Sequence, residues 1–139
     1  MYQDLALYID GEFIQGGDRR EQDVVNPATG EVLGKLPHAS RADLDRALAA
    51  AQRAFESWKK TSPLERSRIL RKVAELARER AQQIGHNLTL DQGKPLAEAV
   101  AEIMTCSEHA EWHAEECRRI YGRVVPPRNP AVRQFVVRE

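Results

Sequence analysis

Residues 41–121 constrain this chain most, because they carry helix caps and apolar residues at three- and four-residue spacing with no strand signal between them. Any fold must gather long helices and leave the strands to the two ends of the sequence. Ser40-Arg41-Ala42-Asp43 is a capping-box variant, in which a hydroxyl and a carboxylate each pair a backbone N–H left open at a helix start. Leu44, Ala47, Leu48, Ala51, Phe55 and Trp58 then share one face, which predicts a helix over 41–58. Ser62-Pro63-Leu64-Glu65 opens the next, with a Ser cap, Pro at the first helical position and Glu three residues after the cap. Ile69, Leu70, Val73, Leu76 and Ala77, continued by Ile84, Leu88 and Leu90, predict a helix over 63–91 with a kink at Gly85. Gly93 suits the left-handed residue just past a helix, and Pro95 suits the first turn of the next. The third helix is predicted over 95–121, with Gly122 past its end. Its seam of Leu96, Ala99, Val100, Ile103, Ser107, Ala110, Ala114, Cys117 and Tyr121 is mostly small and admits another backbone closely. A helix of that span is about 40 Å long, so part of its surface is expected to face further protein.

The strand signals lie at the two ends. Leu5–Ile14 carries Asp10-Gly11, a two-residue hairpin turn, between Leu7, Tyr8, Ile9 and Phe13, Ile14. Val24–Gly34 carries Asn26-Pro27-x-x-Gly30 between two short apolar runs, which predicts a second hairpin. Ala131–Glu139 reads as a strand, reached through Pro126-Pro127-Arg128-Asn129-Pro130 as a stiff extended linker. Its only expected partners are the hairpins of 5–36, across all three helices, so the chain is expected to be the front of something larger. The segment is expected to self-associate, through pairing of Ala131–Val137 with another copy or through exchange of the long third helix. The apolar faces of Leu48/Phe55, Ile69/Val73/Leu76 and Val100/Ile103 are expected to meet in one antiparallel core.

Charge and local chemistry exclude several functions. Lys plus Arg is 21 and Asp plus Glu is 21, so no net field favours nucleic acid or an anionic membrane. No apolar run approaches the roughly 18 residues of a spanning helix, and no leader pattern opens the chain, so the cytoplasm is the expected compartment. Cys106 and Cys117 share one predicted helix about 16 Å apart, beyond the reach of a disulfide. Cys106, His109, His113 and Cys117 form a stripe too long to converge on one zinc, so at most His109/His113 share an ion, and a surface or interface histidine pair is the better reading. Gly30-Glu31-Val32-Leu33-Gly34 lacks the Lys-Ser/Thr of a phosphate loop and reads as hairpin geometry. Cap and restart account for Gly93 and Pro95, leaving Asp91 as a carboxylate near a helix end.

Taken in order, four stretches resemble the N-terminal portion of an NAD(P)-dependent aldehyde dehydrogenase. They are Asn26-Pro27-Ala28-Thr29-Gly30-Glu31, Ala47-x-x-Ala50-x-x-x-Ala54-Phe55-x-x-Trp58, Pro63-Leu64-Glu65-Arg66-Ser67-Arg68-Ile69-Leu70 and Asp91-Gln92-Gly93-Lys94-Pro95-Leu96-x-Glu98-Ala99. The stretch Glu111–Gly122 resembles the succinate-semialdehyde dehydrogenase branch in particular. The resemblance implies an α+β fragment of a Rossmann-like α/β fold, with N-terminal hairpins, three long helices packed antiparallel and a terminal strand. It assigns 1–125 to the front of the cofactor-binding domain and 126–139 to a linker and the first strand of an oligomerisation sheet. The implied enzyme is a homo-oligomer that oxidises a small aldehyde to the acid with NAD or NADP through a cysteine thiolate, and a glutamate activates the water that releases the acid. That cysteine, that glutamate and the cofactor glycines lie downstream in the family, so this segment alone is expected to be inactive and to bind no cofactor. One family site maps here: the backbone carbonyl of Val25 and the carboxylate of Asp91 hold a monovalent cation, with a third contributor downstream, so in this segment alone the site is expected to be incomplete and empty. Asp91 capping a neighbouring turn is the alternative for that residue. For the whole chain, the alternative is a complete helical interaction or dimerisation module.

Overall fold

The computed structural model describes residues 2 and 4–138; Met1 and Gln3 of the predicted N-terminal portion and Glu139 of the predicted terminal strand lie outside these. Strands β1 (Leu7–Ile9) and β2 (Glu12–Ile14) pair antiparallel with Tyr8 opposite Phe13. Asp10 and Gly11, at φ 57° and 83°, form the turn that a right-twisted two-stranded ribbon favours. Strands β3 (Glu21–Val25) and β4 (Val32–Pro37) form a second antiparallel pair, with an irregularity between Val24 and Val25.

Helix α1 (Arg41–Trp58) starts at the expected box: Ser40 Oγ accepts from the Asp43 N–H, and Asp43 Oδ2 accepts from the Ser40 N–H. The structure adds a distant partner. Arg19 Nε and Nη2 donate to the two Asp43 oxygens at 2.9 and 2.7 Å, clamping the strand-connecting segment onto the helix start. Asp43 is buried, and Arg19 and Ser40 hold its carboxyl well below the usual carboxylate range. Helix α1 lies against β1, and the ion pairs Arg46–Glu12 and Arg53–Asp10 tie it to the turn and second strand of the same hairpin.

Helix α2 (Pro63–Glu79) starts at Ser62, whose hydroxyl accepts from the Glu65 N–H, with Pro63 in the first turn as expected. The single helix expected over 63–91 is two, because Arg80, at φ −101° and ψ 10°, separates α2 from α3 (Ala81–Gln92). The kink expected at Gly85 therefore falls at Arg80 instead. No Gly or Pro marks the break, so each segment is set by what it packs against. Helix α4 (Leu96–Glu116) packs on both α2 and α3 and ends in a 3-10 turn, Cys117–Arg119, short of the expected 121.

The predicted small-residue seam is present from Ala99 to Ala114, while Leu96 and Tyr121 at its predicted ends are exposed. Ala99, Ser107 and Ala114 of α4 are fully buried, facing α2 and α3, where Ser67, Ala74, Ala81 and Gly85 are buried. A Cβ on Gly85 would lie 2.8 Å from Val100 Cγ2 and 3.1 Å from the Val100 nitrogen, so α3 and α4 meet almost backbone to backbone. That closeness overturns the expected common core. The expected stripes are covered only in part: Leu76, Val100 and Ile103 are half-buried, Leu48 is 70% exposed and Val73 50%, and α1 stays out of the α2–α4 packing. Arg78 braces α2 to α4 by donating to both Glu111 oxygens at 2.7 and 2.5 Å.

The terminal strand has a near partner. Strand β6 (Gln134–Val136) pairs antiparallel with β5 (Arg123–Val125), a strand missing from the sequence reading. The Pro-rich stretch between them reverses the chain rather than extending it: the Val132 N–H donates to the Asn129 carbonyl and the Ala131 N–H to Asn129 Oδ1. The pairing therefore crosses the expected boundary at 125/126. Gly122 permits it, since a Cβ there would meet the Val136 oxygen at 2.4 Å. Each of the three hairpins is a separate two-stranded sheet.

Candidate functional site

The turn after β3 is rigid for local reasons. Asn26, itself buried, donates its N–H to the Glu31 carbonyl at 2.9 Å and accepts from the Gly30 N–H at 2.8 Å. Its side-chain oxygen takes the Ala28 N–H at 2.9 Å, and Gly30 supplies the left-handed backbone at φ 76°. This turn docks on the C-terminal end of α3. Gly93, at φ 79°, donates to the Thr89 carbonyl, and a Cβ on Gly93 would come within 3.0 Å of Pro27 Cγ. The Asn-Pro-x-x-Gly turn and the Asp-Gln-Gly segment, far apart in sequence, therefore meet through Pro27 and Gly93.

Asp91 lies in the last turn of α3 at this junction, and Val25 immediately precedes the docked turn. The structure thus brings the two elements that carry the predicted site residues together. It also adds a third element, which the sequence reading missed. The Tyr2 hydroxyl donates to Asp91 Oδ1, and the Tyr2 ring lies beside Gly34 of β4, where a Cβ would sit 3.8 Å from two ring carbons. Burial and the Asp91 carboxylate push the Tyr2 hydroxyl up to about 12, so it is a neutral donor at neutral pH. Among the described residues Asp91 bonds this hydroxyl rather than a turn N–H, which answers the capping alternative. Thr89 Oγ1, one turn before Gly93, is buried without a hydrogen-bond partner among the described residues. Carbonyl, carboxylate and hydroxyl oxygens are the donors that a hard cation takes.

The other sequence candidates stay dispersed. His109 and His113 are exposed on α4, and no group of three or more His, Cys, Asp or Glu among the described residues could hold a metal ion. Cys106 is exposed and Cys117 half-buried, both as free thiols. No helix among the described residues is long and apolar enough to cross a membrane.

Residues 13–139 match the aldehyde dehydrogenase family. The chain is 46% identical over 137 residues to 4-(hydroxymethyl)benzenesulfonate dehydrogenase of Comamonas testosteroni, covering 98% of this chain and 29% of that protein. It is 40% identical over 132 residues to glutarate-semialdehyde dehydrogenase of Pseudomonas putida, covering 95% of this chain and 28% of that protein. Its fold superposes on the crystal structure of succinate-semialdehyde dehydrogenase from Burkholderia pseudomallei with a TM-score of 0.87 at 37% identity, covering 95% of this chain and 27% of that one. The chain thus spans between a quarter and a third of the length of these relatives.

Proposed function

The chain belongs to the aldehyde dehydrogenase family, and on that premise we propose that it is the N-terminal part of an enzyme that oxidises an aldehyde to a carboxylic acid with NAD or NADP. The observation that carries the reading is the joint match of sequence and fold: 95% of the chain superposes on a succinate-semialdehyde dehydrogenase with a TM-score of 0.87 at 37% identity. The substrate class is an aldehyde with a remote anionic group. The relatives are named for glutarate semialdehyde, succinate semialdehyde and a benzenesulfonate, each of which carries one. Succinate semialdehyde is the member of that class we propose.

In this reading residues 1–139 supply scaffold, not chemistry. Cys106 and Cys117 sit on or at the end of α4 and are not the nucleophile, and the segment alone turns over no aldehyde and holds no nicotinamide cofactor. Val25, through its carbonyl, and Asp91, through its carboxylate, contribute two oxygens to a monovalent cation. The enzyme is cytoplasmic and a homo-oligomer; the ribbon β5–β6, with Phe135 65% exposed and Val137 just past its end 72% exposed, is the surface on which copies associate. The alternative of a stand-alone dimerisation module has one observation in its favour, the exposed stripe Leu44, Leu48 and Phe55 along α1.

The test is to express the full open reading frame containing this segment. Reduced nicotinamide is then followed with succinate semialdehyde, glutarate semialdehyde and propanal. Turnover favouring the two anionic aldehydes is expected. No turnover with any of them overturns the reading, and turnover by the 139-residue chain alone overturns its scaffold role.

A further inference from the structure

The hydrogen bond from the Tyr2 hydroxyl to Asp91 Oδ1 joins residues 89 positions apart. It is the one polar contact that ties the N-terminal arm to the end of α3 among the described residues. Three elements converge there: the arm through Tyr2, the β3–β4 hairpin through Pro27 and Gly34, and the last turn of α3 through Asp91 and Gly93. The Tyr2 ring and Leu5 Cδ1 rest against the hairpin at Gly34, at 3.8 and 3.6 Å from where its Cβ would be, which is ordinary van der Waals contact. The ring thus touches the hairpin while its hydroxyl bonds the carboxylate at the end of α3.

A carboxylate at the end of a helix can rotate about its side-chain torsions, and a cation held by it loses affinity with each orientation that points away. A hydroxyl fixed by a half-buried ring removes much of that freedom. It takes one oxygen as acceptor and leaves the other carboxylate oxygen directed by the bond. We propose that Tyr2 is a positioning residue for Asp91: its hydroxyl orients the carboxylate toward the turn that follows Val25 and couples the order of the N-terminal arm to that site. The cation part of this inference rests on the reading of Val25 and Asp91 given above. The tether itself rests only on the contacts of Tyr2.

The test uses the product of the full open reading frame that contains this segment, which also supplies the third contributor to the cation, with any purification tag at the C-terminus so that none adjoins the arm. Tyr2→Phe removes the hydroxyl and keeps the ring on Gly34, and Asp91→Asn removes the charge. The first readout is amide hydrogen exchange at residues 4–6 and 91–93, expected to be about fivefold faster in Tyr2→Phe, in line with loss of one charge-assisted bond at a partly exposed site. The second is the sodium NMR line width at constant ionic strength. Broadening is expected to be greatest for wild type, reduced for Tyr2→Phe and lost for Asp91→Asn. A packing role for the ring alone predicts that Tyr2→Phe matches wild type in both readouts, and that result overturns the proposal. If exchange differs but wild type and Asp91→Asn broaden sodium equally, the tether stands and the cation reading is overturned. If Asp91→Asn alone loses broadening and Tyr2→Phe keeps it, the cation reading stands and the positioning role of Tyr2 is overturned.

Discussion

Gly85→Ala separates helix propensity from packing, because the two make opposite predictions for one methyl group. In an isolated helix the change gains about 1 kcal/mol. In this fold the new Cβ lies 2.8 Å from Val100 Cγ2, 3.1 Å from the Val100 nitrogen and 3.3 Å from Val100 Cα. The Val100 methyl can rotate away, but the nitrogen and Cα move only if α3 and α4 separate. Forcing a methyl into a close-packed seam costs about 1–3 kcal/mol, so the net effect is a loss of up to about 2 kcal/mol. For a chain of this size each kcal/mol corresponds to about 3–5 °C in thermal midpoint. Urea unfolding followed by far-UV circular dichroism, with Gly85→Ala measured alone and in a Val100→Ala background, gives the full cycle. The double substitution removes Cγ2 but not the backbone contacts, so the cost is expected to fall by about 0.5–1 kcal/mol without vanishing. A Gly85→Ala chain more stable than wild type would refute the backbone-to-backbone approach of α3 and α4.

Gly93→Ala is expected to lose about 1–2 kcal/mol, because φ 79° is a left-handed backbone and the methyl would also meet Pro27 at 3.0 Å; an unchanged denaturation midpoint would contradict the docking of that turn. Leu48→Ser is expected to shift stability by no more than about 0.5 kcal/mol because Leu48 is 70% exposed, whereas Ala99→Leu at a fully buried seam position is expected to cost about 1–3 kcal/mol. The opposite ranking in thermal melts would restore a core built on α1. Asp43 and Glu111 are both lowered in the folded chain, chiefly by hydrogen bonds from Arg19 and Arg78. A lowered folded-state value stabilises above the unfolded carboxylate value of about 4, and that contribution is lost as pH falls through the folded value. The thermal midpoint is therefore expected to drop on acidification below about pH 4, and less steeply in Asp43→Asn. Parallel slopes for the two chains would remove Asp43 from the account.

How far each feature could be read depended on how local its cause is. Ser40 with Asp43, Ser62 with Glu65, Gly93 past α3, Asp10-Gly11 and the Asn26–Gly30 turn are all as the residues predicted, since each is decided by atoms within a few positions along the chain. The small seam of α4 was equally legible, because a run of Ala and Ser on one face permits close approach whatever the partner is. Val25 and Asp91 were reachable only through the resemblance of their motifs to a family, as neither has a spacing that implies the other. Tyr2 carried no signal at all. Tertiary structure alone decided the break at Arg80, the exclusion of α1 from the α2–α4 packing, the pairing of β5 with β6, and the bonds Arg19–Asp43 and Tyr2–Asp91. Periodicity states that a face is apolar, and it cannot state how much space its partner leaves. Gly85 brings α3 within backbone reach of Val100, and Leu76, Val100 and Ile103 are left half-buried beside the seam rather than at the centre of a common core.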